Sequence, residues 1–83
     1  MATSIISAKV KQKTESVTFD SNGYATTSLS RESNVLLAAR NSTANNWEAY
    51  VPFANYAAPS WRIVAYKGGI TSGETRSVIL YYL

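Results

Sequence analysis

The stretch that most constrains this chain is its last one, Trp61 to Leu83. It reads as two strands joined by a loop. The first strand is Trp61–Lys67, the loop is Gly68-Gly69-Ile70-Thr71-Ser72-Gly73-Glu74, and the second strand is Thr75–Leu83. Nearly every strand residue is β-branched, aromatic or large and apolar, the types that suit a pleated, half-buried surface. The final strand is apolar on both faces. Val78, Leu80 and Tyr82 point one way, and Ile79, Tyr81 and Leu83 the other. A strand with one wet face should alternate apolar and polar residues, and chain termini fray unless something ties them down. The expectation is that a partner chain covers the second face, so Ile79, Tyr81 and Leu83 are the candidate oligomer interface.

Size makes that expectation pressing. With 83 residues the chain is read as one domain, 1–83. Such a chain buries only somewhat over ~60% of its unfolded surface, so the core is small. Domains of this size lean on disulfides, a metal, oligomerisation or very good packing. The chain has no cysteine and no histidine. That excludes disulfides and thiolate metal sites, and it removes the commonest metal ligand and general base. Packing and assembly are left.

The rest of the chain reads as short strands. Ser4 to Lys13 alternates, with Ile6, Ala8 and Val10 on one face. Lys13-Thr14-Glu15 is expected to turn. Ser16–Asp20 is a strand with Val17 and Phe19 on one face. Asn22-Gly23 is a strong hairpin signal, because both residues tolerate φ > 0, and Tyr24–Leu29 is expected to return as the partner strand. Asn34 to Arg40 is read as a strand rather than a helical turn, because it is short and its neighbours are strands. Asn41–Asn46 is a loop by composition. In Trp47–Phe53 the core face is assigned to Trp47, Ala49, Val51 and Phe53, and the wet face to Glu48, Tyr50 and Pro52. Pro52 cannot donate to a ladder, so it marks an edge strand or a strand end. Asn55–Ser60 is a second loop, and the final hairpin completes the count. About seven short strands with regular turn signals make an all-β protein, a small antiparallel, jelly-roll-like β-sandwich with no helix.

Catalytic equipment is not evident. No Ser-His pair can form without histidine. The five acids, Glu15, Asp20, Glu32, Glu48 and Glu74, mostly flank turns, and no pair suggests glycosidase chemistry or a calcium cage. Gly68-Gly69 leads into no phosphate-loop Lys-Ser/Thr. The chain is therefore read as non-enzymatic, with no cofactor and no metal. The formal charge is +3, with Lys9, Lys11 and Lys13 together near the N-terminus and Arg31, Arg40, Arg62, Lys67 and Arg76 scattered. That is not a nucleic-acid footprint, which would be a dense basic face. No apolar run approaches ~20 residues and no signal-peptide pattern opens the chain, so neither membrane insertion nor a secretory leader is expected.

What remains is surface chemistry. Rings beside amide side chains suit sugar or protein recognition, since rings offer apolar area and amides offer donors and acceptors. Asn45-Asn46-Trp47 is one cluster; Asn55-Tyr56 with Ser60-Trp61-Arg62 is another. Both tryptophans are assigned to core packing. Asn45, Asn46, Tyr50, Tyr56 and Arg62 are the candidate ligand-binding residues, with Tyr50 and Tyr56 expected at the surface.

The order of elements carries a resemblance. A Val-Thr-Phe-Asp-Ser-Asn-Gly-Tyr-Ala hairpin (17–25), a Leu-Leu-Ala-Ala-Arg strand (36–40) and an Asn/Ser/Thr-rich loop come first. Trp-Arg-Ile-Val-Ala-Tyr (61–66) and a Val-Ile-Leu-Tyr-Tyr-Leu ending (78–83) follow. Across residues 6–83 this resembles the small C-terminal β-sandwich domains of bacteriophage tail fibres and baseplate receptor-binding proteins, including prophage versions. The resemblance implies a homotrimer in a virion, at a fibre tip, that recognises a saccharide or protein of the host surface. It transfers no particular binding residue. No stalk precedes the domain, so the chain reads as an excised tip or a small independent virion protein. A purely structural trimerisation or decoration domain is the alternative. A monomeric cellular carbohydrate-binding or adhesin module is a further one.

Overall fold

The computed structural model describes residues 9–43, 48–54, 57–67 and 72–83. They form six strands: β1 (Lys11–Thr18), β2 (Tyr24–Ser30), β3 (Leu36–Asn41), β4 (Ala49–Phe53), β5 (Ser60–Lys67) and β6 (Thr75–Tyr82). All pairs are antiparallel, and the strands make one sheet in the order β1-β6-β3-β4-β5-β2. The sheet curls until its two edges meet, because Phe19 bridges Ala25 just beyond β1 and inside β2. The all-β reading holds, as a nearly closed barrel. The strand expected upstream, from Ser4, lies largely outside the described residues.

The core follows from alternation. Val17 and Phe19 at β1, Ala25 and Leu29 of β2, Leu36 of β3, Ile63 of β5, and Val78 and Leu80 of β6 are buried. Ile63, Val78 and Leu80 are completely enclosed. Trp61 packs against this cluster, as assigned, and its Nε1 donates to the Asn34 carbonyl at 2.8 Å. Thr27, the buried hydroxyl of β2, donates to the Trp61 carbonyl at 2.7 Å, so it costs little to enclose.

Three local expectations are corrected. Lys13-Thr14-Glu15 is not a turn. β1 runs straight through it, paired residue by residue with β6 from Lys11↔Tyr82 to Thr18↔Thr75. Polarity there marks an edge strand rather than a break. The Asn22-Gly23 turn forms, but β2 is not the ladder partner of β1. Their pairing stops at Phe19↔Ala25, after which β1 follows β6 and β2 follows β5. Likewise β5 and β6 are not a hairpin: β5 lies between β4 and β2, and β6 between β1 and β3. Their inward faces serve opposite sides of the same core.

The turn itself is held by Asp20. Its Oδ1 accepts from the N–H of Asn22 at 2.8 Å and of Tyr24 at 3.0 Å. The Tyr24 N–H, helped by those of Asn22 and Gly23 and by the charge of Arg62, outweighs desolvation. The carboxyl is held below its usual range. Gly23 sits at φ +83°, a conformation that costs a side-chain-bearing residue about 1–2 kcal/mol. Gly23→Ala is therefore expected to lower stability by about that much in a urea titration, with m unchanged.

Pro52 is a strand end rather than an edge. β4 lies inside the sheet order, but it pairs with β3 only at Arg40↔Ala49. The β3 side of Pro52 therefore carries no ladder to break.

Candidate functional site

The loop between β3 and β4 contains Asn45 and Asn46, which lie outside the described residues. The two feet of that loop are described, and side chains tie them together. Asn41 ends β3 with its side chain inward, and its Nδ2 donates to Glu48 Oε1 at 3.3 Å and to the Tyr50 hydroxyl at 3.1 Å. Its Oδ1 accepts from the Thr43 N–H at 2.8 Å, which fixes the start of the loop. Tyr50 donates to Glu48 Oε1 at 2.6 Å. Arg76, at the start of β6, points Nε at both carboxylate oxygens of Glu48, at 3.0 and 2.9 Å, and Nη2 at Glu74.

This corrects the assignment of Tyr50 to the surface. Tyr50 is only 8% exposed, and its ring stacks on Phe19 with centroids 5.7 Å apart. Val51, assigned to the core, is among the exposed large apolar residues. The faces of β4 are exchanged relative to expectation because Glu48 can be enclosed. Its side chain is 7% exposed, and the Arg76 guanidinium compensates its charge. That pairing admits Glu48 and Tyr50 to the inner face together.

The electrostatics follow. Burial works against the Glu48 carboxylate, but donors from Tyr50, Arg76 and Asn41 and the charge of Arg76 outweigh it. The group is held below its usual value. Burial, and then Glu48, push the Tyr50 hydroxyl up to about 12. Arg76 is raised by its bonds to Glu48 and Glu74. Glu48 is thus ionised and Tyr50 protonated throughout the neutral range, and neither is poised to exchange a proton there. The cluster anchors the rim from which the Asn41–Asn46 loop springs. Sequence reasoning missed Arg76. The signal was its place in the inward series Arg76, Val78, Leu80.

The second loop gives less. Tyr56 lies outside the described residues. Ala57, Ala58 and Pro59 line an open hollow of about 430 Å³ with Ser30, Arg31 and Glu32 of the β2–β3 turn. Arg62 is not in that hollow. It lies on the outer face of β5, half-buried, with Cζ 5.8 Å from the centroid of Tyr24. Tyr24 also packs on Phe53, centroids 5.2 Å apart. Among the described residues Arg62 Nε has no hydrogen-bond partner, and the guanidinium lies over the negative face of a ring.

The candidate interface residues lie together on the outer face of β1, β6 and β3. Val35 and Leu83 exchange both backbone hydrogen bonds, at 3.2 and 2.9 Å, and Asn34 Nδ2 donates to the Leu83 carbonyl at 3.3 Å. Leu83 is thus tied down by its own chain. Val10, one step beyond the Lys11↔Tyr82 pair, completes an apolar row with them. The next row is Gln12, Tyr81 and Ala38, beside Leu37, and the next is Thr14, Ile79 and Arg40. Four exposed large apolar side chains, Val10, Val35, Leu37 and Leu83, fall on this face. Ile79 and Tyr81 are half-buried. Arg40, a charged residue on this face, is exposed, and its Nε donates to the Tyr81 hydroxyl at 3.0 Å.

Comparison with known proteins returns no relative: no family model, no curated protein and no solved structure matches the chain. Among the described residues, no helix is long and apolar enough to cross a membrane.

Proposed function

We propose that the protein is a non-catalytic virion domain, a homotrimeric tip of a phage tail fibre or baseplate that recognises a saccharide or protein on the host surface. The observation that carries the reading is the apolar outer face of β1, β6 and β3. Antiparallel sheets facing water alternate; here Ile79, Tyr81 and Leu83 are joined by Val10, Val35 and Leu37. A contiguous patch of this kind is where a soluble fold meets a partner. Assembly would also offset the small core and multiply weak contacts at the tip. Recognition is assigned to the loop after Asn41, whose feet are fixed by Glu48, Tyr50 and Arg76, and to the 55–60 loop with Arg62. Tyr50 is a support of that rim and contacts no ligand.

The second reading, a trimerisation or decoration domain without a ligand, is favoured by the burial of Tyr50, which leaves the rim with one ring fewer to offer. Native mass spectrometry, a glycan array and a host-cell binding assay divide the readings. A trimer is expected, and Ile79→Glu with Leu83→Glu should weaken it by about 100-fold or more, the equivalent of roughly 3 kcal/mol. A monomer at working concentration sinks both trimer readings. A trimer that binds neither glycan nor host cell leaves the structural role.

A further inference from the structure

Four of the five neighbouring strand pairs in the sheet order share four or more paired residues, and β3–β4 pairs only at Arg40↔Ala49. The two ends of the sheet, β1 and β2, meet through the Phe19↔Ala25 bridge. After the Phe19↔Ala25 bridge, β1 and β2 show no further pairing. Side chains span the seam instead. Glu15 accepts from the Ser28 N–H at 2.9 Å and from the Ser28 hydroxyl at 2.6 Å, and Lys13 Nζ reaches the Ser28 hydroxyl at 2.7 Å. Lys13 and Glu15 also pair with each other at 3.4 Å. The carboxylate occupies the place a strand carbonyl would take at the β2 edge.

Backbone geometry says which groups of β1 face the seam. The Phe19 N–H goes to Glu74 on the β6 side, and the Asp20 N–H goes to Tyr24 on the β2 side. Successive residues of a strand alternate between its two neighbours, and β1 is unbroken in register. Gln12, Thr14 and Ser16 therefore aim their backbone groups at the seam. Among the described residues these groups have no strand paired to them, and an open strand edge is a template for another strand.

The sequence on that edge is self-complementary. An antiparallel pairing of β1 with β1 of a second copy, centred on Thr14, sets Thr14 opposite Thr14 and Gln12 opposite Ser16. It also sets Lys13 opposite Glu15 twice. Thr14, Gln12 and Ser16 fall at the hydrogen-bonded positions. Lys13 and Glu15 fall at the closer, non-hydrogen-bonded ones, where opposite charges stabilise and like charges oppose. We propose that the seam edge of β1 is a docking edge for β1 of a second copy, held shut in the single chain by Glu15 and Lys13 on Ser28. The latch is made of partly exposed ionic groups, which contribute little to stability, so beyond the Phe19↔Ala25 bridge little holds the seam closed. The contact is two-fold and uses an edge. It uses the backbone edge of β1 rather than the packing of side chains, although the Gln12 and Thr14 side chains also belong to the outer face.

The register makes the test specific. The chain has no native cysteine, so Thr14→Cys and Ser16→Cys each supply a single thiol. Across the proposed axis the two Cα atoms of residue 14 stand about 5.5 Å apart, within disulfide reach, whereas those of residue 16 stand about 14 Å apart along the strands. Each substitution is made alone and with Ser28→Pro, which removes both Ser28 donors. Ser28→Ala, which removes only the hydroxyl, serves if the proline variant does not fold. With the latch broken, mild oxidation should convert the Thr14→Cys chain to covalent dimer at least about tenfold faster than the Ser16→Cys chain. Lys13→Glu, which places a carboxylate opposite each Glu15, should abolish that preference, and Lys13→Glu with Glu15→Lys should restore it. Equal rates at positions 14 and 16, no cross-linking at either, or indifference to Lys13→Glu would overturn the proposal. The Lys13–Glu15–Ser28 contact would then only keep the barrel closed.

Discussion

Phe19→Ala is expected to lower the free energy of unfolding by about 3–5 kcal/mol. A domain of 83 residues has roughly 4–12 kcal/mol in all, at about 0.05–0.15 per residue. The loss is therefore about a quarter of the total or more, and the melting temperature followed by circular dichroism should fall by at least about 12 °C. Phe19 is one of the four largest fully enclosed side chains. It also stands where the barrel closes: its backbone bridges Ala25 and bonds to Glu74, while its ring stacks on Tyr50. The ring fills space between elements far apart in sequence, and no single neighbour can collapse into the cavity left by alanine. A loss below about 1.5 kcal/mol would mean that the seam end of the core is loosely packed. The closed-barrel account would then be wrong at that point.

Tyr50 should be comparably sensitive, for a mixed reason. Tyr50→Ala removes the ring from the core and is expected to cost about 3–5 kcal/mol. Tyr50→Phe keeps the ring but takes a donor from Glu48 and an acceptor from Asn41, and should cost about 1–1.5 kcal/mol. The two substitutions are separated by pH. The folded-state hydroxyl is raised to about 12 from an ordinary value of 10.0. A group whose folded value is raised contributes stability that is complete below the unfolded value and is lost as pH rises through the folded one. The wild type should therefore lose stability between pH 10 and 12 by more than Tyr50→Phe does, so the two melting curves converge as pH rises. Parallel curves would show that the hydroxyl is not held by Glu48. With Phe19→Ala, Tyr50→Phe completes a double-mutant cycle, since contacting residues are not additive.

The fold class was legible because alternation is a local property. Val78 and Leu80 are enclosed and Ile79 and Leu83 face outward, as the period-two reading of β6 required. The turn at Asn22-Gly23 was legible for the same reason. Pairing was not. Nothing in Trp61–Lys67 or Thr75–Leu83 says that a strand will leave its sequence neighbour and cross to the far side of a core. Nor could Lys13-Thr14-Glu15 be told from a turn, because what makes it a strand is β6, at the other end of the sequence. Tyr50 was misplaced through the same blindness. Its strand carries more apolar residues on the face that became the outer one. What reversed the choice was Arg76, arriving from β6 to neutralise Glu48. The candidate site was thus visible as loops and not as the network that fixes them, and Arg62 was visible as a residue but not as the neighbour of Tyr24.

Pairing of Lys11 with Tyr82 has a consequence for how the chain is made. A nascent polypeptide cannot complete the ladder on β1 until residues 75–82 have left the ribosome. Until then the edge carrying Val17 and Phe19 stays open to chaperones and to other unfinished copies. Closing so long a loop costs entropy before any contact compensates it, so folding should begin with the local β3–β4–β5 meander and finish slowly. Growth temperature and synthesis rate, rather than the stability of the finished barrel, should therefore govern how much of this protein reaches its native form in a cell.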